Sequence, residues 1–388
     1  MDATDCVKSA ERLRPLLEAA APRMERAHEL SAEVVAALHE ARLYRMLLPR
    51  SLGGLELPPA DFVRAIEAIA KADASTAWCL AQAGGCAISA AYLPAATARE
   101  VFGPANAVVA WGPPNRHARA SQVDGGYVLT GTWEFASGSR HATWLGAHAA
   151  VFDRDGKRLT DPAVPLGETT FLFPRASATI EDTWQVVGLK ATGSDTYAVK
   201  NMFIPSSHAF LRDDPKMRRE AGPLYSFSTY QIYGAAFAGV ALGIARSVQD
   251  AFVALAREKT SFLSPTSLRD NAAIQAQVAV GEVRLRAIRH FLLDTLSAAY
   301  DTVRERGEID LDRRLAMRMG ATHATHEAAA VVDACYYAAG ATAIFETNPF
   351  ERRFRDMHAV AQQSQARMLH MEAVGRAMLG AGAGSYAT

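Results

Sequence analysis

The segment GTWEFASGSRHATW, residues 131–144, places small hydroxyl-bearing residues between large aromatic side chains. Its centre, Ser137-Gly138-Ser139, has the composition of neither a good helix nor a regular strand. A ligand with a flat ring and a hydrogen-bonding edge would suit this segment, because aromatic side chains can cover the ring and hydroxyl groups can bind the edge. The alternative for Ser137 is a purely structural turn, since Ser-Gly is a common turn pair.

Two other patterns resemble ligand-binding motifs but lack the features that such motifs need. His323 and His326 have the spacing of a metal-binding pair on a helix, but no acidic or cysteine ligand accompanies them in a motif, so we predict no metal site. The segment GGCAISAAYLP contains two glycines without the spacing or setting of a dinucleotide-binding or phosphate-binding loop. The sequence therefore has no dedicated NAD(P) motif.

The composition excludes several classes of partner. The 388 residues include 41 basic and 41 acidic side chains, a formal net charge of zero, so nothing favours nucleic acid or an anionic membrane. The cysteines lack metal-site spacing and are expected to be reduced thiols of a cytosolic protein. We recognise no signal peptide and no apolar run long enough to span a bilayer. We therefore expect a cytoplasmic protein with a small-molecule ligand.

Three regions with different periodicities must position this chemistry. Residues 1–105 have the apolar spacing of helices, with Ser31 as a helix start signal. Short runs rich in β-branched and aromatic residues, separated by Gly, Pro and Asp, predict a β domain over residues 106–212. Helical periodicity returns over residues 213–388, where small residues favour a closely packed bundle. Its fourth helix is predicted from Phe354 to about Leu379.

The order of these regions and several motifs resemble the acyl-CoA dehydrogenase superfamily over nearly the whole chain. The segments LPRSLGGLELP and IAKADASTAWCLA are similar to its N-terminal domain, and VVGLKATGSDTYAVKNMFIP is similar to its middle-domain signature. The segment NPFERRFRDMHAV, with the Arg355-Asp356 pair, resembles its last bundle helix. The resemblance implies an α+β, mostly α, fold with an N-terminal helical domain, a middle β-barrel domain and a C-terminal four-helix bundle.

Within that superfamily the chain resembles the branch of two-component flavin monooxygenases. The pattern SGSRHATW at residues 137–144 and the TGS turn at residues 192–194 carry this resemblance. It implies that a separate flavin reductase supplies reduced FAD or FMN, and that oxygen adds at flavin C4a to give a hydroperoxide. One oxygen atom then passes to a small aromatic or polycyclic substrate. A homotetramer is also implied, because bundle helices of this superfamily pair across subunits.

The resemblance further implies which residues form the site. Ser137 falls where the family places a hydroxyl near flavin N5. Lys259 stands where the family has an arginine, and lysine cannot reproduce a bidentate phosphate contact. His141 is a candidate for orienting the substrate. The residues implied to bind the flavin are Trp111, Ser137, Gly138, Trp184, Thr192, Ser194, Lys259 and Phe262.

The catalytic base is where this chain departs from its relatives. A glutamate that removes an α-proton would lie at Ser364 or near Tyr233, and neither is a carboxylate. The histidine common in the monooxygenase branch is replaced by Gln363, which forms hydrogen bonds but takes up no proton near neutral pH. His370 is predicted two helical turns further along the same face, about 10 Å away along the axis. The candidate catalytic residues are therefore Gln363, His370 and Ser137.

Two alternatives to a monooxygenase stay open. The first is an acyl-CoA dehydrogenase or oxidase that acts on an acyl thioester with a displaced base. The second is a flavin-fold binding protein without catalytic activity. The missing carboxylates count against the first, because a buried carboxylate is the natural base for an α-proton. The flavin-wall motifs count against the second, because a mere scaffold would have no use for them.

Overall fold

The computed structural model describes residues 3–159, 168–260, 267–382 and 384, and its N-terminal region is helical. Ser31 accepts a hydrogen bond from the Val34 amide at 3.4 Å, so the predicted start signal is confirmed. Asp73 caps another helix by accepting from the Thr76 amide at 2.7 Å. The helices are α1 (Ala3–Arg12), α2 (Arg14–Ala27), α3 (Ala32–Glu40), α4 (Pro59–Ala70), α5 (Ala74–Ala87) and α6 (Ala95–Phe102).

The strands that follow form one mixed sheet. They are β1 (Val109–Trp111), β2 (Arg119–Val123), β3 (Gly126–Ala136), β4 (Trp144–Phe152), β5 (Thr169–Pro174), β6 (Thr179–Glu181), β7 (Asp195–Pro205) and β8 (Ala209–Phe210). Their order is β6-β7-β3-β2-β4-β5-β8, and β1 pairs with β4 beside this path. Strands β1 and β2 run parallel to β4, whereas the other pairs are antiparallel.

The centre of the sheet is filled by Trp133 and Tyr197. Their rings stack with centroids 5.3 Å apart, and the Trp133 indole donates to the His148 carbonyl at 3.0 Å. Both side chains are fully buried. One of the two tryptophans in the segment 131–144 therefore belongs to the core.

The C-terminal region packs around one long central helix. Its helices are α7 (Thr229–Glu258), α8 (Ala272–Arg306), α9 (Leu311–Ala339), α10 (Pro349–Ala361) and α11 (Leu369–Met378). Helix α7 begins at a capping box, in which the side-chain oxygens of Ser228 and Gln231 each accept from the main-chain N–H of the other residue. Helices α4, α5, α9 and α10 surround α7. A Cβ at Gly243 would lie only 2.5 Å from Ala70 Cβ, so this glycine allows α4 to approach closely.

By length and composition alone, helix α7 could cross a membrane. In the structure 67% of its most apolar window is buried inside the protein. Helices on several sides cover it, so its hydropathy matches the position of a central core helix.

The prediction of one helix from Phe354 to about Leu379 is wrong. Helix α10 ends at Ala361, a 3-10 turn spans Ser364–Ala366, and α11 begins only at Leu369. Gln363 caps the turn, because its side-chain oxygen accepts a hydrogen bond from the main-chain N–H of Gln365 at 2.9 Å. Such local side-chain bonds to the backbone compete with helix formation. The break directs this part of the chain toward the functional site.

Candidate active site

A cavity of about 630 Å³ lies where the β sheet, helices α5 and α7, and the turn after α10 meet. Its polar lining consists of hydroxyl, amide, imidazole and guanidinium groups. The size and the mixed lining are those of a cofactor or ligand site. The aromatic residues in its wall are Trp78, Trp111, Phe135, Trp184, Tyr230, Tyr233 and Phe237.

Hydroxyl groups form a hydrogen-bonded string along one wall. Ser137 Oγ lies 2.7 Å from Ser194 Oγ, which in turn lies 2.7 Å from Thr192 Oγ1. At one end the Trp78 indole donates to Ser137 at 2.9 Å. At the other end Thr192 donates to the Leu189 carbonyl at 2.8 Å. This hydroxyl string joins α5 to both of the loops that the sequence singled out.

The contact of Thr192 with the Leu189 carbonyl sets the direction of the other hydrogen bonds in the hydroxyl string. An indole N–H only donates, and a carbonyl oxygen only accepts. Thr192 uses its single proton toward Leu189, so Ser194 must donate to Thr192, and Ser137 must donate to Ser194. Ser137 and Ser194 line the cavity. They therefore offer a ligand lone pairs and no proton.

Main-chain and ionic contacts hold the two loops together. The Gly138 amide donates to the Thr192 carbonyl at 2.9 Å. Gly138 has a φ of 81°, which explains why a glycine follows Ser137. Arg140 forms an ion pair with the buried Asp195 at 2.7 Å, and this hydrogen bond raises the pKa of the Arg140 guanidinium. Gly138 thus supports the turn and does not itself line the cavity.

The Arg355-Asp356 pair of α10 anchors the loop at the Thr192 end of the string. The Asp356 carboxyl group accepts from the Leu189 amide at 2.6 Å, and Arg355 donates to the Val187 carbonyl at 2.7 Å. Between these contacts Gly188 packs so closely that a Cβ there would overlap the Arg355 carbonyl group. The pair recognised in the sequence therefore ties the β region to the bundle at the cavity wall.

Asp356→Asn is expected to flatten the pH dependence of stability. Burial raises the pKa of Asp356 from an ordinary 3.8 to about 7, against the opposing effects of the Leu189 amide and Arg352. The folded chain holds this proton more tightly than the unfolded chain, so the carboxyl group destabilises the fold increasingly as the pH rises through about 4 to 7. Asparagine keeps an oxygen for the Leu189 amide but carries no charge.

Melting temperatures of the wild type and Asp356→Asn check this prediction. Between about pH 4 and about pH 7, the wild-type melting temperature should fall more steeply than that of the variant. Because other titrating groups are common to both proteins, the difference between the two curves isolates this carboxyl group. Parallel curves would contradict the assignment.

A planar aromatic wall stands beside the hydroxyl string. Trp78 stacks on Phe237 with centroids 3.9 Å apart, and Phe237 stacks on Tyr233 at 5.5 Å. The Tyr233 hydroxyl donates to the Gln82 carbonyl at 3.3 Å. A Cβ at Gly85 would overlap the Tyr233 ring, so this glycine makes room for the wall. A flat ring with a polar edge suits such a surface.

Trp111, His148 and Arg212 line another part of the cavity. The Trp111 and His148 rings meet edge to face with centroids 5.2 Å apart, and Arg212 Cζ lies 5.6 Å from the Trp111 centroid. Burial, reinforced by the charge of Arg212, holds the pKa of His148 well below its usual range. The imidazole is therefore neutral at about pH 7.

The structure separates the candidate catalytic residues. Ser137 and Gln363 line the cavity, but His370 does not. The ring of His370 is buried behind the turn, with Nε2 2.9 Å from the Ser364 carbonyl. The prediction that His370 shares a helical face with Gln363 is wrong, because the helix breaks between them. Burial lowers the pKa of His370, and its contact with Ser364 positions the turn.

The other predicted residues divide between the cavity and its surroundings. Trp111 and Trp184 line it, and the Trp184 indole donates to the Leu189 carbonyl at 3.0 Å. His141 lies outside the cavity, with its Nε2 3.1 Å from the Tyr44 hydroxyl. Lys259 also lies outside the cavity and donates to the carbonyl of Ala339 at 2.6 Å. The predicted residue Phe262 falls outside the described residues.

Sequence reasoning missed Trp78, Phe237, His148 and Arg212. Trp78 and Phe237 stand in nearly continuous apolar helical segments, where an aromatic residue is usually core. His148 carried an available signal, because it is a polar residue inside the otherwise apolar strand β4. Arg212 is the last residue of the predicted β domain and begins a run of charged residues, so its charge did not distinguish it.

The lining fits a flavin site, and its chemistry favours a monooxygenase over an enzyme that dehydrogenates an acyl thioester. Flat aromatic walls, hydroxyl oxygens and side-chain amides match the faces and the polar edge of an isoalloxazine. In the described part of the chain, no carboxylate lines the cavity. A buried carboxylate is the natural base for removal of an α-proton. The residues present therefore favour oxygen transfer over dehydrogenation.

Comparisons with known proteins agree with this geometry. Residues 10–98 match the model of the acyl-CoA dehydrogenase N-terminal domain, and residues 235–368 match that of the C-terminal domain. The indole-3-acetate monooxygenase of Pseudomonas putida is 31% identical over 346 residues, which are 88% of this chain and 85% of that protein. An FADH2-dependent resorcinol hydroxylase, oxygenase component, from a Rhizobium species is 26% identical over 89% of this chain and 87% of its own length.

The fold also matches that of a solved flavin enzyme along the whole chain. The HsaA monooxygenase from Mycobacterium tuberculosis superposes with a TM-score of 0.91 and 25% identity, and the match covers 100% of both chains. The chain therefore belongs to the acyl-CoA dehydrogenase superfamily and, within it, to the two-component flavin-dependent monooxygenases.

Proposed function

We propose that this flavin-dependent monooxygenase binds reduced FAD or FMN against the hydroxyl string and holds an aromatic substrate between the flavin and Trp111. The reduced flavin supplies two electrons and the site of oxygen activation. In the net reaction an aromatic C–H group, O2 and reduced flavin give a hydroxylated ring, water and oxidised flavin. One oxygen atom enters the product and the other leaves in water.

The contact of Thr192 with the Leu189 carbonyl, from which the direction of the hydroxyl string follows, is the observation that carries this proposal. Ser137 is an acceptor toward the cavity, because its own proton is committed to Ser194. The N5 atom of a reduced flavin carries a hydrogen, whereas the N5 atom of an oxidised flavin offers only a lone pair. The Ser137 oxygen would accept a hydrogen bond from the N5–H of the reduced form. Against the oxidised form, the lone pairs of the Ser137 oxygen and of N5 would face each other and repel. The string therefore favours a flavin that arrives already reduced.

Binding of both redox states to Thr192→Val tests the proposal. Without the Thr192 hydroxyl, Ser194 loses its acceptor, and Ser137 is no longer forced to be an acceptor. We expect the wild type to bind reduced flavin about tenfold more tightly than oxidised flavin, and the variant to lose most of this preference. Calorimetry under anaerobic conditions gives the dissociation constants.

Ser139→Ala is the matched control for that experiment. The Ser139 hydroxyl donates to the Gly193 carbonyl at 3.2 Å between the same two loops, but it is not part of the hydroxyl string. This variant should keep the preference for reduced flavin even where both affinities fall. Equal binding of the two redox states by the wild type would overturn the proposed site.

The residues around the substrate bind and orient it without acting as a base. His148 is neutral, and its Nδ1 lies 2.9 Å from the Thr170 hydroxyl. Gln363 already holds the Gln365 amide through its side-chain oxygen. We propose that the substrate is nucleophilic or acidic enough to react without proton removal at residue 363. The stacked aromatic wall would shield the reacting atoms from water on one side.

Gln363→Ala is expected to slow product formation only modestly. The change removes one hydrogen bond that shapes the turn, worth about 0.5–1.5 kcal/mol, which corresponds to a tenfold effect at most. Steady-state turnover at saturating reduced flavin measures it, and Gln363→Glu, which adds a carboxylate, should not accelerate the reaction. A loss of about a thousandfold in Gln363→Ala would mean that residue 363 takes part in the chemistry directly.

We also propose a cytoplasmic homotetramer that receives its flavin from a separate reductase. Large apolar side chains are exposed at the end of α9 and just beyond it, as an interface would require: Tyr337 is 75% exposed, Ile344 63% and Phe345 59%. Lys259 lies beside this surface through its contact with Ala339. A second copy docked there would bring Lys259 close to a neighbouring subunit.

Sedimentation tests the assembly. We expect a tetramer, or at least a dimer, and we expect Tyr337→Asp combined with Phe345→Asp to shift the protein toward monomer by placing charges in the interface. The surface change Phe203→Asp, at an exposed apolar residue of β7 that does not line the cavity, is the control for a nonspecific effect. A stable wild-type monomer that still binds flavin would contradict the proposal.

A further inference from the structure

In the described part of the chain, the Arg212 cation that lines the cavity has no ion-pair partner. Its Nε is buried and has no hydrogen-bond acceptor, and no carboxylate among the described residues lies within ion-pair distance of its guanidinium. Two acids lie near Arg212 without forming an ion pair with it. Asp213 accepts from the Thr229 amide and hydroxyl at 2.9 and 3.0 Å. Glu168 is close enough to interact electrostatically with Arg212, but burial raises the pKa of its carboxyl group to about 7. Leaving a partly buried guanidinium unpaired is costly, so a ligand that pairs with it would bind favourably.

His148 presents a second unsatisfied group to the same end. Its side chain is 1% exposed and lines the cavity, and its Nε2 atom has no partner. The Thr170 hydroxyl, 2.9 Å from Nδ1, satisfies the other ring nitrogen. When that hydroxyl donates to Nδ1, the ring proton resides on Nε2, and His148 becomes a neutral N–H donor facing the cavity.

We propose that Arg212 and His148 form a subsite for the carboxylate of an aromatic acid substrate. A carboxylate offers two oxygens, which a guanidinium and an imidazole N–H can bind together. Trp111 lies beside both groups, because its ring centroid is 5.2 Å from the His148 centroid and 5.6 Å from Arg212 Cζ. Its ring would cover the apolar arm of the acid. The substrate ring then lies toward the hydroxyl string, and the charged end lies away from it.

This subsite specifies the substrate class of the proposed function and rests on that function for the identity of the reaction. The anion site and the flavin site can be disproved independently of each other. The anion site is tested by the affinity of an acid and of its neutral analogue, which requires no oxygen transfer. The flavin site is tested by the redox preference described above, which requires no substrate.

Phenylacetate and phenylacetamide are the probes, because they differ in charge and have nearly the same shape. Their binding is measured by calorimetry on the full-length protein, with and without anaerobic reduced flavin. We expect the wild type to bind phenylacetate about tenfold to a hundredfold more tightly than phenylacetamide. Arg212→Met should remove most of this difference and leave the affinity for phenylacetamide unchanged. His148→Phe, which keeps a ring but has no N–H, should lower phenylacetate affinity several-fold.

Arg367→Met provides the matched control, since Arg367 is another cation that lines the cavity, in the turn after α10. This variant should keep the preference for the acid. The subsite is overturned if the wild type binds both probes equally, or if Arg367→Met and not Arg212→Met removes the preference. It is equally overturned if Arg212→Met weakens both probes to the same extent, because the guanidinium would then only support the fold.

Discussion

Ser137→Ala is expected to separate flavin oxidation from product formation. The variant loses the acceptor that faces the cavity, and it leaves the Trp78 indole N–H and the Ser194 hydroxyl without their partner. A buried donor left unsatisfied costs about 1–3 kcal/mol, so we expect reduced flavin to bind roughly tenfold to a hundredfold more weakly. Flavin that does bind is held less firmly, and a larger share of its electrons should end in hydrogen peroxide.

The measurement is product formed and peroxide released per flavin oxidised. Ser139→Ala, in the same turn but outside the hydroxyl string, should stay close to the wild-type ratio. If Ser137→Ala kept the full yield while Gln363→Ala lost about a thousandfold, the chemistry would lie on the turn after α10 and not on the hydroxyl string.

Gly188→Ala is expected to weaken flavin binding strongly, with little change to the rest of the fold. The added methyl group would overlap the backbone carbonyl of Arg355, which cannot move aside as a flexible side chain would. The loop must shift away from α10, and the 2.6 Å bond between the Leu189 amide and Asp356 breaks. The Leu189 carbonyl, which both Thr192 and Trp184 use, moves with it. We expect flavin affinity to fall by more than about tenfold.

Flavin titration and circular dichroism of Gly188→Ala test this expectation. Gly375→Ala is the control, because a Cβ at that helical glycine meets nothing within 4 Å and alanine is the better helix former. Wild-type flavin binding by Gly188→Ala would show that the loop between Trp184 and Ser194 is not a wall of the flavin site.

Features set by local pattern could be predicted from the sequence. The order of helices, strands and helices follows from periodicity, and the cap at Ser31 follows from a single side chain. Ser137, Trp184 and Ser194 were placed in the site through the motif resemblance, and the structure brings them to one cavity. The Arg355-Asp356 pair was recognised as a motif, but its task of anchoring the Leu189 loop depends on a contact between residues 167 positions apart.

Features set by tertiary contact could not be predicted. Trp78 meets Ser137 across 59 residues of sequence, and no local pattern encodes that pairing. The helix break before His370 depends on Gln363 capping its own turn, whereas the residues on both sides have helical periodicity. Arg212 and His148 line one cavity because β8, just before Arg212, pairs with β5, and β5 pairs with the strand β4 that carries His148.

The most direct test of the account is the source of the oxygen in the product. The protein is supplied with chemically reduced flavin, oxygen-18 gas and a panel of aromatic compounds with and without a carboxylate, and products are analysed by mass spectrometry. We predict one labelled oxygen atom per hydroxylated product, no product without reduced flavin, and no consumption of NADH by the chain alone. Label that comes from water, or an acyl thioester that is desaturated without gaining oxygen, would contradict the account.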